Sequence, residues 1–75
     1  FNPTTTLAFD LPHDGHVRLE VHDLAGRRVA RLLDGFRAAG AHRVDWRPVD
    51  LASGVYVARL QAANRVAHWR LVLVR

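Results

Sequence analysis

The strongest constraint on this chain is the run from Val17 to Val29, Val-Arg-Leu-Glu-Val-His-Asp-Leu-Ala-Gly-Arg-Arg-Val. Val17, Leu19 and Val21 alternate with Arg18, Glu20 and His22. A period of two sends successive side chains to opposite faces, which describes a strand with one dry face and one wet face. Asp23-Leu24-Ala25-Gly26 then breaks the alternation. An Asp carboxylate folds onto nearby backbone N–H groups, and Gly tolerates positive φ. With a second run starting at Arg28, the segment predicts a β-hairpin whose loop closes through Gly26 in the left-handed region.

The rest of the chain repeats this grammar. Thr4 to Asp10 reads as a first strand, with Leu7 and Phe9 on one face, and Leu11-Pro12-His13-Asp14-Gly15 as a reversal. His16 to His22 is the second strand and Arg28 to Leu33 the third, with Val29 and Leu32 inward. Asp34-Gly35 and Ala39-Gly40 are expected to bracket a short connection containing Phe36. In Ala41 to Arg47, His42, Val44 and Trp46 share one face, until Pro48 ends the strand for want of an N–H. Val55 to Ala62 follows, with Tyr56, Ala58 and Leu60 on one side. Ala63-Asn64 reverses the chain into a last strand, Arg65 to Arg75. There Trp69, Leu71 and Leu73 face one way and Val72 and Val74 the other. A strand apolar on both faces is expected to be covered on both, by a neighbouring domain or a partner. No helix-period segment survives. The expected fold is a single all-β domain over residues 1–75, an antiparallel β-sandwich of about seven short strands with immunoglobulin-like character.

Seventy-five residues bury only roughly 60–65% of the surface that the unfolded chain exposes, so a neighbour or partner is a natural source of added stability. Cysteine is absent, which removes disulfides and thiolate metal sites. No stretch reaches the ~20 apolar residues of a membrane helix, and no membrane insertion is expected. All eleven basic residues are Arg, and Lys, Ile and Met are missing. That is the codon signature of a GC-rich genome, so the net charge of +4 is weak support for a polyanion partner.

Chemistry-bearing residues do not assemble into a motif. His16 and His22 lie six residues apart on one strand, roughly 20 Å at strand rise, too far to share an ion. His13 and His16 flank a turn without a third ligand beside them. His42 has inward parity and reads as a half-buried structural histidine. Ser53 is the only serine, placed in a turn where its hydroxyl serves local backbone, with no activating base in context. Asp45 alternates with Arg43 and Arg47 and reads as a surface ion-pairing residue. Trp46-Arg47 and Trp69-Arg70 look like aromatic-basic pairs, but neighbours on a strand point to opposite faces, so no nucleic-acid surface follows. An enzyme, a metal centre and a cofactor are therefore not expected. Arg18, Arg43 and Arg47 on the wet face would supply at most a weak polyanion or carbohydrate contact.

Several segments in fixed order carry a family likeness: Asn2-Pro3 before a Thr-rich strand, Leu11-Pro12 with Gly15, Val21-His22-Asp23-Leu24-Ala25-Gly26-Arg27-Arg28-Val29, Gly40 with Trp46, Ser53-Gly54-Val55-Tyr56 with Arg59-Leu60, and the closing Leu71-Val72-Leu73-Val74-Arg75. This set, spanning essentially the whole chain, resembles the C-terminal sorting domain of type IX secretion substrates. It also resembles the related immunoglobulin-like domain of the flagellar hook-capping protein. The resemblance implies a non-enzymatic module at the end of a larger secreted or cell-surface bacterial protein, read by outer-membrane secretion machinery. The alternative it implies is a structural sandwich within an extracellular fibre, sheath or hook-cap-like assembly. It assigns Gly26 and Gly54 to turns that demand glycine, and Tyr56 to the core with its hydroxyl on a loop carbonyl. It assigns partner contact to Leu71, Val72, Leu73, Val74 and Arg75, where Arg75 stands in place of the usual terminal Lys. The short Arg47-to-Ala52 loop lacks the Asp/Gly-rich insertion of the hook-cap type and favours the sorting type.

Overall fold

The structure, a computed structural model, describes residues 4–74. They form six strands: β1 (Thr5–Leu11), β2 (Gly15–His22), β3 (Arg28–Arg37), β4 (Gly40–Trp46), β5 (Gly54–Ala62) and β6 (Arg65–Leu73). Every pairing is antiparallel. β1 and β4 make a two-stranded sheet, and the other four make a second sheet in the order β3-β2-β5-β6. The described residues thus hold six strands where about seven were expected, and no helix.

The period-two pattern explains the core. Leu7, Leu11 and Trp46 come from the small sheet, and Val17, Leu19, Val21, Tyr56, Ala58, Leu60, Leu71 and Leu73 from the large one; all are buried in one cluster. Leu19, Val21 and Ala58 are fully enclosed. On β1 and β2 the inward residues alternate with polar or exposed ones, and on β5 with half-exposed ones, so the two sheets close on each other's inner faces. Trp46 meets Tyr56 edge to face across the sheets, centroids 6.1 Å apart, a favoured aromatic geometry.

β3 departs most from expectation. It continues through Asp34, Gly35 and Phe36 to Arg37, pairing with the first half of β2 from Gly15↔Arg37 to Arg18↔Asp34. Asp-Gly is turn chemistry locally, but here four ladder pairs with β2 hold it extended. The connection to β4 shrinks to Ala38 and Ala39, whose amide is held by the Asp14 carboxylate at 2.6 Å. Two register shifts, opposite Leu19/Glu20 and Val21/His22, leave Leu32 and Val29 as extra residues on β3. Such bulges bend the strand, and they let Val29, Ala30, Leu32 and Leu33 all pack against the core.

The turns follow their residues. Asp23 accepts hydrogen bonds from the backbone N–H groups of Ala25 (3.0 Å) and Arg27 (2.9 Å) and from Arg27 Nε (3.2 Å), and Gly26 closes the loop at φ +85°. The Arg27 backbone N–H above all, with the Ala25 N–H and the Arg27 charge, holds the Asp23 carboxyl below its usual 3.8 despite partial desolvation. The β5–β6 turn is less well matched. Ala63 has φ +53°, the only non-glycine at positive φ among the described residues. A two-residue hairpin turn with positive φ at its first position is of type II′, where glycine is preferred. Left-handed backbone costs an L-residue about 1–2 kcal/mol, and glycine's extra unfolded-state freedom returns about 0.4–1 kcal/mol of that. Ala63→Gly is therefore expected to stabilise the domain by about 0.5–1 kcal/mol, read as a higher urea midpoint at unchanged slope; an unchanged or lower midpoint contradicts the turn assignment.

Candidate functional site

The segment to which the resemblance assigns partner contact lies on β6 and just beyond it. β6 pairs only with β5 and forms one border of the four-stranded sheet. Its alternation separates the segment into two sets. Leu71 and Leu73 point inward and are 8% and 1% exposed; Val72 and Val74 are 49% and 54% exposed. Within the domain the core covers the inner face of the segment, and its outer face is exposed. The strand ends at Leu73, so Val74 follows it, and Arg75 lies outside the described residues. Leu71 and Leu73 hold the fold, and what β6 offers a partner is its outer side.

That outer side belongs to a larger surface. Register places Val55 opposite Val72, Val57 opposite Arg70, Arg59 opposite His68 and Gln61 opposite Val66. On the other half of the same face, β2 and β3 bring charges together. Glu20, with a side chain only 8% exposed, accepts from Arg31 Nε at 3.1 Å and Arg28 Nη1 at 3.4 Å, and His22 Nε2 lies 3.4 Å away. Burial pushes the Glu20 carboxyl up, but the Arg31 and Arg28 hydrogen bonds, the Arg31 charge and His22 outweigh it and hold the group below 4.5. Asp34 continues the network with His16 at 2.9 Å, Arg31 at 3.6 Å and Arg18 at 3.9 Å. On this half of the face both acids are engaged by neighbouring cations.

The arginines singled out in the sequence do not form a patch. Arg18 lies on the large sheet beside Asp34, whereas Arg43 is on β4 of the small sheet and Arg47 follows the end of that strand. Arg47 Nε donates to the Thr4 hydroxyl at 3.1 Å. The expected Asp45 ion pair is replaced by a hydroxyl: Asp45 accepts from Thr6 across the strands at 2.8 Å, because Thr6 is its register partner. His42 is half-buried as expected, stacked on Phe9 at 5.6 Å with Nε2 2.7 Å from the Ala38 carbonyl. Tyr56 packs in the core and donates its hydroxyl to the Ala52 carbonyl at 2.6 Å, the role the resemblance assigned.

A cleft of about 470 Å³ opens at one end of the molecule, between the β1–β2 and β5–β6 turns. His13, Asp14, His16, Asn64 and Arg65 line it over an apolar floor that includes Leu11 and Leu60. Of these, His16 is already paired to Asp34 and Asp14 to the Ala39 amide. No three of the described His, Asp and Glu residues gather as metal ligands, and no helix among the described residues is long and apolar enough to cross a membrane.

No family model matches the chain, and neither a curated protein nor a solved structure does. The class defined by the fold is a small two-sheet antiparallel β domain.

Proposed function

We propose that the chain is a non-enzymatic sorting or anchoring module at the C-terminal end of a secreted bacterial protein, recognised at the outer membrane through its sandwich and last strand. The observation that carries this reading is the division of the closing segment, with Leu71 and Leu73 locked into the core and Val72 and Val74 presented outside. A terminal signal must be rigidly displayed and still reachable, and a strand anchored on one face meets both demands. The immunoglobulin-like form of the sandwich is part of the proposal. It is supported by the two facing antiparallel sheets and by Tyr56, whose hydroxyl reaches back four residues to a backbone carbonyl in the manner of a tyrosine corner.

The test is export. Residues 1–75, placed behind a reporter that reaches the periplasm of a bacterium with type IX secretion, are expected to carry it to the cell surface or medium. Removing residues 71–75 is expected to leave it in the periplasm. Retention of the reporter by the intact module overturns the reading. Mass spectrometry of the released cargo then shows whether the module is cut away before Phe1 or retained.

A second reading, a structural sandwich within an extracellular fibre, sheath or appendage, is favoured by the strands that pair on one side only among the described residues: β1, β3, β4 and β6. Such borders join copies by strand addition. Filaments of the purified chain in electron micrographs, together with failed export, would select this reading.

A further inference from the structure

All seven acidic residues lie in the first fifty positions, where seven arginines balance them; the last twenty-five positions hold four arginines, His68 and no acid. The whole formal charge of +4 therefore belongs to the segment that contains β5 and β6. Folding does not cancel it. The ion pairs of the described residues fall on the β2–β3 half of the large sheet and in the Asp23 turn, and Arg59 and Arg70 join none of them. Glu20, opposite Arg59 in register, is already engaged by Arg28 and Arg31 from the strand on its other side and by His22 of its own strand.

Around these cations the face is aliphatic. Val55 and Val57 are half-exposed, and Val66 (44%), Val72 (49%) and Val74 (54%) are exposed. Trp69 points inward against the core, so the outer side of β5 and β6 carries no aromatic residue. A hydrated polyanion would satisfy the arginines and leave the valines wet. A lipid surface is served by aromatic anchors and dense basic clusters, which this face lacks. An apolar surface with no carboxylates would strand Arg59 and Arg70 out of water unpaired, at a cost.

We propose that the outer face of β5 and β6 docks a protein surface of aliphatic side chains flanked by carboxylates. This deepens the recognition reading above by naming the surface and the partner's chemistry. It is tested in solution without export, so that either can fail alone.

The probe is a peptide of alternating glutamate and valine, titrated into the isotopically labelled chain and followed by amide chemical shifts. Poly-glutamate of equal charge, heparin and phosphatidylglycerol vesicles are run beside it. The expected result is saturable shifts at Val55, Val57, Arg59, His68, Arg70 and Val72, with the Glu/Val peptide binding tighter than poly-glutamate. Arg70→Glu with Arg59→Gln is expected to weaken binding by about tenfold or more; Gln is used at position 59 because Glu20 lies opposite. Val72→Thr with Val74→Thr is expected to weaken it severalfold. An unchanged spectrum elsewhere confirms that each variant is folded. Equal binding of poly-glutamate or heparin, preference for the vesicles, shifts confined to the cleft near Asp14 and Asn64, or no saturable shift with the peptide would each overturn the proposal.

Discussion

Leu73→Ala is expected to cost about 2–5 kcal/mol, the range for removing a fully buried leucine side chain. Leu73 is among the largest side chains with almost no exposure, at 1%. It sits opposite Gly54, which offers no side chain to fill the space left behind. A domain of this length has roughly 4–11 kcal/mol of total stability, so the variant is expected to be partly unfolded near room temperature. Val74→Thr, one residue on and 54% exposed, is expected to change stability by less than about 0.5 kcal/mol. Urea unfolding followed by tryptophan fluorescence reads both, since Trp46 is buried in the core cluster against Tyr56. Equal losses for the two variants would show that the closing segment is not divided as described. In the export assay the same pair separates folding from recognition: Val74→Thr is expected to fold normally and export poorly, and Leu73→Ala to fail in both.

Glu20→Gln is expected to lose about 1–3 kcal/mol near neutral pH, the scale of hydrogen bonds to a charged group. The carboxylate is enclosed on the outer face by Arg28 and Arg31 from β3 and His22 from its own strand, with Arg59 of β5 opposite. The amide of Gln keeps one acceptor and turns a donor toward guanidinium groups that are themselves donors only. The folded carboxyl titrates below its ordinary 4.5. Its contribution is therefore complete above that value and is lost as pH falls from there through the lower, folded value. Asp23, also lowered from its ordinary 3.8, adds an acid loss of the same sign. Urea midpoints measured from neutral pH downward are expected to fall for the parent chain more steeply than for Glu20→Gln. The two curves should converge at acid pH once the folded carboxyl is protonated and both side chains are uncharged. A constant gap at all pH values would mean that the charge of Glu20 contributes nothing and only its shape matters.

Both effects rest on residues whose parity was readable in the sequence, but not equally. Leu71 and Leu73 follow from alternation alone. Glu20 also has the expected outward parity, yet nothing in Val17 to His22 tells that this outward acid is buried. Its cover comes from Arg28 and Arg31, brought over it by the bulged ladder of β3. Asp34-Gly35 misled for a related reason: a pair with turn propensity is held extended by the strand beside it. The arginine grouping failed differently. Arg18, Arg43 and Arg47 share the wet parity of their strands, but parity does not tell which sheet a strand joins.

The alternation of small apolar and polar residues, punctuated by Asp-Gly, Pro and Asn, is enough by itself to determine an all-β domain, the approximate strand positions, and the inward places of Leu19, Trp46, Tyr56 and Leu73. These are properties of a few consecutive residues, set by backbone geometry and side-chain size. The division into sheets of two and four strands, the burial of Glu20, the extension of β3 and the valine-and-arginine face of β5 and β6 were decided only by tertiary structure. Each depends on which distant strand lies alongside, and the energy of that pairing is shared between segments that are far apart in the chain.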